Sequence, residues 1–188
     1  MTTRLVIFGA PGAGKGTQAE RLAQHLKIPT ISTGHLFRSH ISEGSELGHL
    51  AGSYIARGEL VPDSVTVEML KERLAAKDTK DGFLLDGFPR NPAQVDLLDE
   101  LLGDEKLDGV LELSVDEDAI VERLLKRGIE QGRTDDTEDV IRTRLRIYRE
   151  QTAPVAKLYA ERGLLHSIDG MGEIDEVTER LLKAVSAL

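Results

Sequence analysis

Cysteine is absent from the 188 residues, which excludes disulfides, Cys-bound zinc, iron–sulfur clusters and thiol nucleophiles. That composition is compatible with a reducing compartment. No apolar run approaches the ~20 residues of a membrane span. The opening Met1-Thr-Thr-Arg-Leu-Val-Ile-Phe-Gly9 passes from a short apolar stretch straight into glycines, without the h-region or cleavage site of a secretory leader. The expectation is a cytoplasmic chain with no membrane partner. Positive charge is also in deficit. With 24 Lys+Arg against 33 Asp+Glu the net charge is −9, so binding of nucleic acid or anionic lipid by bulk attraction is disfavoured. Any anion site has to be local. Within that deficit 15 Arg outnumber 9 Lys, and the guanidinium fork grips phosphate bidentately where an ammonium cannot. Repeats, low-complexity tracts and linkers are missing. The 40% hydrophobic and 30% charged residues suit one folded domain with one core.

The pattern that is present alternates short apolar runs with amphipathic stretches. Leu5–Phe8, Phe83–Leu85, Val110–Leu113 and Leu164–Ile168 have the length of buried strands, and Pro29–Ser32 supplies a fifth, shorter one. Such alternation predicts an α/β fold, a parallel sheet flanked by helices. Asp116 and Thr137 are expected to cap two helices, and Asp169–Gly172 turns into a third that ends near Leu188. The stretch from Ser32 to about Val61 fits poorly, with helical pattern but glycines at 34, 44, 48, 52 and 58. It reads as a helical insert hinged at its glycines, or else as a helical layer in which glycine allows close packing.

Chemistry concentrates after the first strand. Gly9-Ala-Pro-Gly-Ala-Gly-Lys15-Gly16-Thr17 follows G-x-x-x-x-G-K, with Gly16 where Ser or Thr is usual and the hydroxyl one place later. Glycines let successive backbone N–H groups converge on a polyphosphate. The helix N-terminus adds its positive end, and lysine neutralises the transferred group. Asp86 ends an apolar strand, so it falls at the carboxyl edge of the sheet where α/β folds bind ligands. There it can hold magnesium, largely through water, or else cap a helix or pair with Arg90. On a helical wheel over residues 140–159, Arg144 falls in the apolar arc of Val140, Ile141, Leu145, Tyr148, Val155, Leu158 and Tyr159, whereas Arg142, Arg146 and Arg149 lie opposite. A guanidinium so placed has to snorkel, pair with Asp135 or Asp136, or face an anionic ligand, and phosphate is the preferred reading. The five histidines show no metal-ligand spacing with carboxylates.

Four motifs in order, Gly9–Gln18, Ile31-Ser-Thr-Gly34, Asp86-Gly-Phe-Pro-Arg90 and Gly132-Arg-Thr-Asp-Asp136, resemble the adenylate kinase family over essentially the whole chain. Gly16 is normal in that family. The resemblance implies a five-stranded parallel P-loop core (residues 1–31, 62–127 and 137–188), a helical AMP-binding insert (32–61) and a very short lid (128–136). This is the short-lid bacterial-type form, with no room for zinc. It implies an ATP cradle at Gly12, Ala13, Gly14, Lys15, Gly16 and Thr17, with Arg127, and an adenine-side contact at Gly172. For AMP it implies Thr33 and Gln94 at the base, Arg38 and Arg90 at the phosphate, and Glu59, Leu60 and Val61 as a wall. Gly87, Phe88 and Pro89 complete the AMP motif, and Arg133 and Arg144 reach the transferred phosphate. Lys15, Arg90, Arg127, Arg133 and Arg144 are the expected catalytic cations.

The implied reaction is MgATP + AMP ⇌ 2 ADP by in-line transfer. A phosphomonoester is largely ionised near neutral pH, with a second pKa of about 6, so no general base is required. That agrees with candidates that are cations. Magnesium enters with ATP, and a monomer is the default. Two rivals stay open. A UMP/CMP-type nucleoside monophosphate kinase would differ only at the acceptor base. An ATP-gated binding module would have little use for Arg38 and Arg90.

Overall fold

The computed structural model describes residues 2–188. Five parallel strands form one sheet in the order β2-β3-β1-β4-β5. They are β1 (Thr3–Gly9), β2 (Thr30–Ser32), β3 (Gly82–Asp86), β4 (Gly109–Ser114) and β5 (Leu165–Asp169). Successive side chains on a strand point to opposite faces, and β1 shows what this does. Val6 and Phe8 join Leu70, Val95, Leu98, Val155 and Tyr159 on one side. Leu5 and Ile7 join Ala19, Leu22, Val177 and Leu181 on the other. Both faces are therefore covered by helices, and a strand buried on two faces reads as a continuous apolar run.

The helices are α1 (Lys15–Leu26), α2 (Thr33–Glu43), α3 (Glu46–Ile55), α4 (Asp63–Leu74), α5 (Pro92–Leu102), α6 (Glu117–Gln131), α7 (Glu138–Ile147), α8 (Ala153–Glu161) and α9 (Ile174–Val185). No helix among the described residues is long and apolar enough to cross a membrane. Between β2 and α4, helices α2 and α3 pack on each other, and Phe37, Ala51, Val61 and Met69 form a small core of their own.

Two local expectations need correcting. Asp116 and Thr137 occupy the positions before α6 and α7, but neither side chain caps its helix. The last helix follows the Asp169–Gly172 turn, starting at Ile174, where Glu173 and Glu176 form a reciprocal capping box. The stretch 140–159 is not one regular helix, because residues Tyr148–Thr152 make a π-turn between α7 and α8. Pro154 lacks an N–H and its ring crowds the carbonyl four residues back, so a regular α-helix is interrupted there. One apolar arc on the wheel is thus divided between two cores. Ile141 and Leu145 pack with Ile120 and Leu124, whereas Val155 and Tyr159 pack against the sheet.

Candidate active site

Strand register puts the candidate segments together. Asp86 lies opposite Ile7 of β1 and Ser32 of β2, so the loop after β1, the start of α2 and residues 86–90 all leave the carboxyl edge of the sheet side by side. Open α/β sheets bind ligands at that edge.

The loop 10–14 leads into α1 through Gly14, whose φ of 95° is left-handed. Gly12 is left-handed too, and a Cβ there would stand 2.7 Å from Leu124 Cγ, so the loop rests directly on α6 and only glycine fits. The Lys15 ammonium donates to the carbonyls of Gly9 and Ala10, both at 2.9 Å. Burial pushes its pKa down to about 8, with Asp86 opposing and Arg90, Arg144 and Arg127 adding to the depression. Ala13 is buried, while Gly16 and Thr17 open α1 exposed. Gly172 lies beyond β5, in the segment that Gln18 of α1 ties down through the Ile174 carbonyl at 3.0 Å.

One cavity brings Lys15 together with Thr33, Arg38, Glu59, Leu60, Val61, Gly87, Phe88, Pro89, Arg90, Gln94 and Arg144. Arg90 is fixed along its whole length. Its N–H donates to Gln94 Oε1 at 2.7 Å, its Nε donates to the Gly87 carbonyl at 2.7 Å, and its own carbonyl accepts from Thr152 Oγ1 at 2.6 Å. The π-turn is what carries Thr152 to it. Thr33 Oγ1 donates to the Gly87 carbonyl at 3.0 Å, and both Thr33 and Gln94 are buried. Burial pushes the guanidinium pKa down at Arg38, Arg90 and Arg133, and to about 10 at Arg144. All remain cations at neutral pH.

Arg127, Arg133 and Asp86 do not line that cavity, yet their charges reach it. Arg127 pairs with Asp136 at 2.6 and 2.7 Å. Arg144, mostly buried as the wheel suggests, pairs with Asp136 at 2.8 Å and Asp135 at 3.3 Å. These are the two carboxylate partners that the sequence offered. Burial pushes the Asp136 carboxyl up, but the hydrogen bond and charge of Arg127, with Arg144 and Arg133, outweigh it and hold the group below its ordinary range. Arg133 meets Gln131 Oε1 at 3.2 Å. The Asp86 carboxylate accepts no hydrogen bond among the described residues and supports the charges of Lys15 and Arg90. A free hard-oxygen donor suits magnesium. No group of three or more His, Asp or Glu side chains able to hold a metal occurs among the described residues, so the ion's remaining ligands would be phosphate and water.

Sequence reasoning passed over Asp63, Thr152 and Arg123. Asp63 binds Gln94, Thr152 holds Arg90, and Arg123 reaches the Ala13 carbonyl at 3.5 Å. The one available signal was helical phase, since Arg123 falls one turn before Arg127.

An adenylate kinase family model matches residues 7–164. The chain is 54% identical over 186 residues to adenylate kinase of Thermobifida fusca, covering 98% of each chain. It is 55% identical over 185 residues to that of Kocuria rhizophila, covering 97% of this chain and 98% of the relative. To the adenylate kinase of Pseudarthrobacter chlorophenolicus it is 52% identical over 187 residues, with 98% and 97% covered. With the family model spanning more than half of it and these relatives covering it almost end to end, the chain belongs to the adenylate kinase family.

Proposed function

We propose that this chain transfers the γ-phosphoryl group of MgATP reversibly to AMP, giving two ADP. One observation carries the reading: a single cavity joins the lysine of a phosphate loop to buried arginines and to a buried Thr and Gln. Donor and acceptor are thereby held within reach of each other. The backbone of residues 12–17 and Lys15 cradle the triphosphate. Arg38 and Arg90 hold the AMP phosphate, and Thr33 and Gln94 read its base against the wall of Glu59, Leu60 and Val61. An AMP phosphate oxygen bonds to the γ-phosphorus as the bond to the β–γ bridging oxygen breaks. Arg127, Arg133 and Arg144 neutralise the charge spread over the transferred group. Magnesium held through Asp86 and water supplies further charge neutralisation when ATP is bound.

Segments 32–61 and 128–136 close over AMP and ATP respectively, which excludes water and so protects ATP from hydrolysis. The protein acts as a monomer in the cytoplasm. The test is a coupled ADP-formation assay with MgATP and each of AMP, CMP, UMP and GMP, with ATP alone as control. Rapid turnover with AMP is expected. Preference for CMP or UMP overturns the base reading, and no acceptor-dependent transfer overturns the kinase reading.

A further inference from the structure

Asp63 is the first residue of α4 and stands where the 32–61 segment rejoins the sheet. Its carboxylate has an unusual set of neighbours for a helix-start aspartate. Oδ1 accepts from Gln94 Nε2 at 2.7 Å and from Asn91 Nδ2 at 3.3 Å. Asn91 in turn caps α5 by accepting from the Gln94 N–H at 2.8 Å. The starts of α4 and α5 are thus joined through one carboxylate, and the first turn of a helix favours that negative charge.

A glutamine amide is ambivalent, because a half-turn about its last bond exchanges its carbonyl for its NH2 at little cost in shape. Gln94 has no such freedom. Its Oε1 faces the Arg90 backbone N–H at 2.7 Å, which can only donate. Its Nε2 faces the Asp63 carboxylate, which can only accept. The half-turned amide would set NH2 against N–H and oxygen against carboxylate at the same time. Each partner uses one bonding position of the amide and leaves one over. Gln94 lines the cavity, so the ligand side is offered one lone pair and one N–H in a fixed order.

We infer that Asp63 is a positioning residue that fixes the sense of the Gln94 amide and so selects a 6-aminopurine over a 6-oxopurine acceptor. The inference rests on the reading of this cavity as the acceptor-base site. Adenine offers a donor at N6 beside an acceptor at N1, which complements oxygen and N–H in that order. Hypoxanthine offers an acceptor at O6 beside a donor at N1 and meets like against like. A site built on such fixed polar groups rejects the mismatched base strongly, because the buried groups are left unpaired.

The experiment compares AMP with inosine monophosphate as acceptors for the full chain and for Asp63→Ala and Asp63→Asn, with folding checked by thermal melting. For Asp63→Ala the AMP/IMP ratio of kcat/KM should fall on the order of tenfold, since one of the two partners that set the amide is lost. KM for AMP should carry the change, while kcat at saturating AMP and KM for ATP stay within about twofold. Asp63→Asn keeps an oxygen but can also turn its NH2 toward Gln94, so its ratio should fall between those of the parent chain and Asp63→Ala. Should Asp63→Ala fail to melt cooperatively, Asp63→Ser, whose hydroxyl donates as well as accepts, should show at least about a threefold fall. An unchanged ratio overturns the inference, as does a parallel rise in KM for AMP and ATP. If the unsubstituted chain transfers to AMP and rejects inosine monophosphate, the reading of the site stands whatever the variants do. If it transfers to neither, the reading itself fails.

Discussion

Arg127 and Asp136 meet fork to fork, Nε to Oδ2 at 2.6 Å and Nη2 to Oδ1 at 2.7 Å, and so join the two ends of the 128–136 segment. Arg144 lies against the same Oδ1 at 2.8 Å. One carboxylate with a fully buried side chain thereby organises two of the arginines assigned to the transferred phosphate. It holds their guanidinium groups side by side at the end of the 128–136 segment.

Removing that charge should cost stability, because Arg144 is mostly buried and would be left with Asp135 alone. Arg127 is a quarter exposed and can turn to water, so the loss for Asp136→Asn should be about 1–3 kcal/mol, below the usual cost of breaking a fully buried pair. The Asp136 carboxyl titrates below its ordinary value in the folded protein. Its contribution is therefore present above the unfolded pKa of about 4 and is lost as pH falls through the lower folded value. Urea unfolding should show a constant gap between the two proteins from about pH 5 to 8 that shrinks below about pH 4. A gap that persists undiminished at low pH would show that the charge is not its source.

The inner strands were legible because they are buried on both faces, so Leu5–Phe8 and Phe83–Leu85 appear as unbroken apolar runs. The phosphate loop was legible because its glycines and Lys15 are consecutive in the chain. Arg144 could be singled out because helical phase is a local property. What escaped was set at a distance. Asp63 and Gln94 are 31 positions apart, and Thr152 reaches Arg90 across 62. The π-turn escaped for a different reason: a wheel at a fixed 100° per residue has no way to express a wider turn.

Arg90 invites a selective test. Two of its three bonds, from its N–H and to its carbonyl, belong to the backbone, so Arg90→Ala keeps them and should fold. What it loses is the guanidinium. Loss of a charge-assisted contact to a phosphate should raise KM for AMP on the order of 10–100-fold, with KM for ATP within about threefold. Steady-state kinetics with each nucleotide varied in turn reads the difference. Equal losses for both nucleotides would contradict the assignment.

Gly87 connects the base and phosphate ends of the cavity. Its φ is 86°, and a Cβ there would lie 2.5 Å from Thr33 Oγ1 and 2.9 Å from an Arg90 terminal nitrogen. Gly87→Ala should therefore displace the Thr33 hydroxyl and the Arg90 fork together. A left-handed alanine costs about 1–2 kcal/mol before any clash is counted. The variant should unfold at lower urea and bind AMP more weakly while its affinity for ATP holds, as titration calorimetry can measure. Unchanged AMP affinity would mean that residues 33 and 90 do not act on one ligand.

Lys15 gives the sharpest dependence on pH. Its folded pKa is about 8 against an ordinary 10.5, so the buried ammonium opposes folding by roughly 3 kcal/mol at neutral pH. Between those two values the folded chain has released the proton while the unfolded chain keeps it, and stability rises with pH across that window. Lys15→Met lacks the group. Its stability should exceed that of the parent chain at pH 7 and the difference should narrow from about pH 8 to 10, while its rate of transfer falls by at least about a hundredfold. ATP brings the negative charge that the ammonium lacks, so nucleotide binding should restore the lysine pKa and take up about half a proton or more at pH 8.5. Calorimetry in buffers of different ionisation enthalpy measures that uptake directly. The parent chain should show it and Lys15→Met should not; equal uptake by both would place the titrating group elsewhere.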